Sequence, residues 1–266
     1  MKFAEVLASL ARNADGWTAR IPAEWGNGRT VFGGMQAALL VRAMREVLGD
    51  AARLPLRSVQ TTFVAPIVAG QDVRLCPELL RVGKSAAHAR CDMLTADGLA
   101  CTAVAIFGSD RPSVVSLEIP PVKLNVDPNA LPDFPFIRGI TPEFVRQVQL
   151  RIGQGGLPYT GQDQARSTIF AKLRDTDCGP EEALVALSDI IPTPALSMLK
   201  APAPAASLNW MLELIGHPAD LDLDNWSVID TSVRAGSDGY LSQTSVLWGS
   251  NGHAFSISHQ SVAIFG

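Results

Sequence analysis

Val104-Ala105-Ile106-Phe107-Gly108 and Val262-Ala263-Ile264-Phe265-Gly266 are the same five residues, 158 positions apart in a chain of 266. A match this short carries little alone, but its surroundings repeat as well. Asp97-Gly98 precedes the first copy and Asn251-Gly252 the second. Both dipeptides suit the tight type I′ turns that join antiparallel strands. Gly83 and Gly236-Ser237-Asp238-Gly239 supply an earlier turn in each copy. Between the turns, residues 73–82, 86–95, 226–234 and 240–248 are rich in Val, Thr, Leu and Trp. Such runs favour strands. The chain therefore reads as an internal duplication, each copy holding at least three antiparallel strands.

Each copy also has one strong helix signal. Gly33-Gly34 opens residues 35–47, MQAALLVRAMREV, apolar nearly all round until Arg42 and Arg45. In the second copy Pro180-Glu181-Glu182 opens ALVALSD. Proline is preorganised for a first helical turn, and acidic residues favour the positive end of the helix dipole. Ala183 to Leu187 are all apolar, so no face is left for water and the helix belongs inside the protein. The first residues, MKFAEVLASLAR, read as an amphipathic surface helix rather than a signal peptide, because Glu5 interrupts the apolar stretch. Pro112, Pro120, Pro121, Pro128, Pro132 and Pro135 mark a surface connection, followed by strand-like residues 144–152 and 167–173. The expected plan is an α+β double hotdog: a first domain over 1–110, a Pro-rich linker over 111–140 and a second domain over 141–266. In each domain a curved antiparallel sheet wraps one apolar helix.

Composition narrows the function classes. The residues are 47% hydrophobic and 18% charged with net charge −4, and the mean hydropathy is +0.16. No Lys or Arg stripe offers a nucleic-acid footprint. No stretch reaches ~20 apolar residues, so no membrane span is expected. Four cysteines without C-x-x-C fit reduced thiols in a cytoplasmic protein. The four histidines show no H-E-x-x-H, so no metal is expected, and no G-x-G-x-x-G follows a strand.

The motif order resembles the TesB-like acyl-CoA thioesterases, the thioesterase II family. The resemblance rests on Val31-Phe32-Gly33-Gly34, Ala186-Leu187-Ser188-Asp189, Ala206-Ser207-Leu208 and His259-Gln260-Ser261-Val262. It implies a double hotdog, an acyl-CoA substrate, no cofactor and a homo-oligomer. It also implies that Asp189, Ser207 and Gln260 hold an attacking water. Where the family often has Asp-His after its hydroxyl residue, this chain has Asn209-Trp210.

The chemistry of these residue types is consistent with that assignment. Thioester hydrolysis needs a positioned water, a proton acceptor and donors for an oxyanion. Asp189 follows a wholly apolar helix near its C-terminal end, where the dipole disfavours a carboxylate and burial would raise its pKa. Alternatively it faces solvent and begins the Ile190-Ile191-Pro192 turn. Gln260 lies mid-strand, where a buried amide needs partners that either a held water or neighbouring backbone could supply. Ser207 enters a strand, where a hydroxyl is commonly structural, and no G-x-S-x-G elbow makes it a nucleophile. Gly33 and Gly34, as substrate-binding candidates, could offer helix-start amides to a carbonyl or phosphate; close packing explains them equally well. At the 158-residue offset Gln260 corresponds to Thr102, which points to one site per chain. A protein that binds acyl-CoA or an acyl chain without cleaving it is the alternative.

Overall fold

The computed structural model describes residues 1–14 and 16–265; Gly266, the end of the second pentapeptide, lies outside the described residues. The helices are α1 (Phe3–Ala8), α2 (Gly33–Arg45) and α3 (Pro180–Ser188). The first half contributes β1 (Ala11–Asn13), β2 (Gly16–Arg20), β3 (Gly26–Asn27), β4 (Thr30–Val31), β5 (Leu56–Phe63), β6 (Asp72–Val82), β7 (Ala86–Thr95) and β8 (Gly98–Gly108). The second contributes β9 (Val148–Gln154), β10 (Arg166–Leu173), β11 (Ala205–Leu214), β12 (Ser227–Ser237), β13 (Tyr240–Trp248) and β14 (Ala254–Ile264).

Twelve strands form one sheet in the order β1-β2-β6-β7-β8-β5-β11-β14-β13-β12-β10-β9, and β3 pairs with β4. The halves join backbone to backbone where β5 runs antiparallel to β11, with Thr61 opposite Trp210 and Val59 opposite Leu212. Each half lays its sheet against one buried helix, and the architecture is a double hotdog. Residues 109–142 form no α-helix or strand. They cross the second half, held where Trp248 Nε1 donates to Ile119 O (3.1 Å) and Phe134 N to Leu150 O (2.8 Å). No helix among the described residues is long and apolar enough to cross a membrane.

Turn chemistry placed β7 and β13 at the residues expected, and α1 buries Phe3, Val6 and Leu7 as an amphipathic helix should. The expected strand over 144–152 begins only at Val148, because Pro142 starts a 3-10 turn over Glu143–Gln147. The pentapeptide register also needs correction. Val104 is 40% exposed and Phe107 buried, whereas Val262 is buried and Phe265 is 64% exposed. The two copies thus turn opposite faces to the core, since side chains alternate with period two. Thr102 therefore is not the counterpart of Gln260. It faces outward and donates to Asp92 Oδ1 at 2.6 Å.

Helices α2 and α3 lie side by side and antiparallel. At one end Arg45 Nε donates to Glu181 Oε1 at 2.9 Å, and Nη2 makes a second, short bond to Oε2. Arg42 also reaches Glu182 (3.5 Å). At the other end the N-terminus of α2 meets the C-terminus of α3, so Gly33-Gly34 faces Asp189. Acidic residues at the start of α3 are thus served twice, by their own helix dipole and by the arginines ending α2.

Candidate active site

The inner faces of the two half-sheets differ chemically. In β7 and β8 it carries Ala87, Ala89, Cys91 and Met93, and Cys101, Ala103, Ala105 and Phe107, all buried. In β13 and β14 the inward positions include Gln243, Ser245, Ser256, Ser258 and Gln260. Buried polar side chains need partners, and here they find one another. Thr231 Oγ1 and Ser245 Oγ are 2.6 Å apart, and Ser188 of α3 meets Ser256 at 2.8 Å.

Gln260 is the centre of this polar layer. Its Nε2 donates to Ser207 Oγ at 2.7 Å and to Asp189 Oδ1 at 3.1 Å. Its Oε1 accepts from Gln243 Nε2 at 2.6 Å. The structure therefore brings Asp189, Ser207 and Gln260 together although 71 residues of chain separate the first from the last.

Each is placed by a definite local feature. Asp189 caps α3 with φ −108° and ψ 5°, leaving helical geometry just where the chain turns. Ser207 owes its direction to a β-bulge. Ser207 pairs with Val262 and Asn209 with Ser261, leaving Leu208 as the extra residue. Ser207 and Trp210 are an odd number of positions apart and would otherwise face opposite ways; the bulge sends both inward. Trp210, cross-strand to Gln260, is 1% exposed and fills the space beside it, while Asn209 faces out.

Gly33 stands where any side chain would strike the acid: a Cβ there would lie 2.6 Å from Asp189 Oδ2 and 3.1 Å from Phe63 Cζ. Gly34 answers to packing, since its Cβ would meet Ala186 O at 2.8 Å and the Phe32 ring at 2.5 Å. First-turn amides have no partner within their helix, and that of Gly34 serves the Asp189 carboxyl. Burial pushes this carboxyl from 3.8 up to about 7, while hydrogen bonds from Gln260 and from the Gly34 N–H pull it partly back. A carboxyl that titrates near neutrality can take a proton from water at ordinary pH.

No sequence motif marks Gln243. Its signal was modest: it stands among Leu241, Ser245 and Leu247 at alternating positions of β13, the pattern of an inward face. Beyond Asp189 the chain borders a narrow crevice lined by Leu150, Ile152, Ile169, Ile191 and Thr193. Among the described residues no group of His, Cys, Asp and Glu is arranged to hold a metal ion.

Two family models match the chain: the acyl-CoA thioesterase N-terminal domain over residues 21–108 and the C-terminal domain over residues 128–264. The chain belongs to the TesB-like acyl-CoA thioesterase family. Solved structures agree on the fold of this TesB-like chain. It is similar to a hot dog fold protein of unknown function from Alicyclobacillus acidocaldarius (21% identity, TM-score 0.83, 98% of this chain and 97% of that one). It is also similar to a tesB protein of Mycobacterium avium subs paratuberculosis (17%, 0.78, 98% of each). A third is the acyl-CoA thioesterase II TesB2 of Mycobacterium marinum (14%, 0.76, 98% and 97%). No curated protein sequence matches this TesB-like chain.

Proposed function

We propose that the protein hydrolyses an acyl-CoA thioester to free acid and CoA by direct attack of water, with Asp189 as general base. The observation that supports this most is the Gln260 amide joining Ser207 and a partly buried carboxyl raised to about 7. Water held between Asp189 and Ser207 gives its proton to Asp189 as its oxygen bonds to the thioester carbon. Ser207 accepts from Gln260, so its own O–H is free to donate to that water or to the developing oxyanion. The start of α2 at Gly33-Gly34 faces the same space with the positive end of its dipole. Collapse of the tetrahedral intermediate breaks the carbon–sulfur bond, and the proton on Asp189 passes to the departing CoA thiolate. These residues need no cofactor.

Thiol release from acyl-CoAs of graded length, acetyl to palmitoyl, tests the assignment beside thermal shifts with the same ligands. Turnover that Asp189→Asn and Gln260→Ala each reduce by about 10²-fold or more, with folding intact, supports it. Unchanged turnover in either variant removes it. Stabilisation without thiol release would select a protein that binds acyl-CoA without cleaving it.

A further inference from the structure

We propose that Gln243 is a positioning residue that sets which end of the Gln260 amide faces Asp189 and Ser207. The inference rests on the base assignment above and adds to it a residue outside the trio.

An amide side chain has a donor end and an acceptor end of nearly the same shape, so its orientation is decided by its neighbours. An ionised Asp189 can only accept. Gln260 must therefore turn its NH2 toward the carboxylate, and both of its hydrogens are then spent, one on Asp189 Oδ1 and one on Ser207 Oγ. That orientation sends Oε1 the other way, into the sheet, where an unpaired carbonyl oxygen would be costly. The donor waiting there is Gln243 Nε2, at 2.6 Å.

Gln243 is well suited to this task. It is directly opposite Gln260 across the β13–β14 pair, so the backbone ladder holds their separation. It is only 2% exposed, which keeps bulk water from replacing it as donor. Its own Oε1 is buried with no hydrogen-bond partner among the described residues. An amide serving only stability would more commonly have both ends satisfied. Here the donor end is bonded and the acceptor end is left over, as expected of a chain of amides polarised from the carboxylate outward. The facing residues of β12 and β13 bring no charge to Gln243: Val233 is its cross-strand partner, and Ser245 is already bonded to Thr231.

Two substitutions of similar size separate the roles. Gln243→Glu, when ionised, can only accept, and should draw the Gln260 NH2 to itself and turn Oε1 upon Asp189. Gln243→Met removes the donor without adding charge. Both are expected to lower kcat by about 10- to 100-fold with KM changed by less than about threefold, on the acyl-CoA of the panel that the unsubstituted protein cleaves fastest. The acid limb of the kcat–pH profile should move to higher pH in both, because Asp189 loses the hydrogen bond that favours its charged form. Carbon-13 titration of the Asp189 carboxyl reads the same change without turnover, and its midpoint should rise in both variants. A lower Tm with midpoint and kcat unchanged in Gln243→Met would overturn the positioning role and leave Gln243 structural. If Asp189→Asn keeps full turnover, the base assignment fails instead, and the carboxyl titration still decides whether Gln243 orients Gln260.

Discussion

A carboxyl that burial holds near 7 leaves two signatures of opposite sign in Asp189. Turnover should rise with pH through about 7, as the proton leaves the base, and kcat/KM against pH measures this. Stability should move the other way. The folded pKa lies above the unfolded value near 3.8, so between the two the folded state binds the extra proton. Asp189 thus favours folding fully below about pH 4 and loses that contribution as pH climbs through 7. It follows that Asp189→Asn should unfold at higher temperature than the parent at pH 8, by roughly 1–2 kcal/mol, while losing turnover. A melting comparison at pH 5 and pH 8 checks this: no gain for the variant at pH 8 would mean the carboxylate is not held at a cost. Gly33→Ala belongs to the same scale. Its Cβ would sit 2.6 Å from Asp189 Oδ2, so the acid must move. Turnover should fall by about tenfold or more for a stability loss of only about 1 kcal/mol.

Among elements, the bulge in β11 and the α2–α3 pair decide whether the three side chains meet. Deleting Leu208 would put Ser207 two positions from Trp210, so regular alternation alone would keep both on the inner face, with Ser207 still opposite Val262. The deletion should therefore keep turnover within about tenfold of the parent; complete loss of turnover with the circular dichroism of the sheet unchanged would show that the bulge itself sets the position of the hydroxyl. At the far end of the helix pair, Arg45 also donates to the carbonyls of Ala52 (2.6 Å) and Leu54 (2.7 Å). Arg45→Met strips these and strands Glu181, whose side chain is only 15% exposed, at a cost of roughly 2–4 kcal/mol in urea unfolding. These elements also show what could be read from sequence. The helix α3 was legible because five consecutive apolar residues leave it nowhere but inside. Strands β7 and β13 were legible from their turn residues. The face each strand turns inward was not, since pairing partners decide it: identical pentapeptides ended up on opposite faces. The Leu208 bulge carries no Gly or Pro to announce it. The meeting of Asp189, Ser207 and Gln260 was expected from motif order, whereas the contact of Gln243, which belongs to no motif, emerges only from the fold.

The whole molecule divides its labour unequally. Alanines, cysteines, Met93 and Phe107 line the inner face of β7 and β8, so this part of the first half closes against α2 by apolar packing. The second half carries the polar layer and the trio. Yet it lacks one component: the amides facing Asp189 come from α2, a first-half helix. The candidate site is thus built across the junction, which is held by the β5–β11 ladder and by the Arg45–Glu181 bond rather than by the connecting chain. That chain is itself exposed at Val114, Val115 and Leu117. Cutting it between Val114 and Val115 should therefore leave two fragments that elute together and keep most of their turnover. Residues 128–266 made alone should release no thiol, because Asp189 would face solvent instead of the start of α2, and β11 would present an unpaired edge prone to association. Mixing in residues 1–127 during refolding should restore activity. Turnover by the second half alone would mean that α2 contributes nothing to the chemistry. Loss of activity on cutting, with the fragments still associated, would mean that the covalent tether itself holds the helices in register.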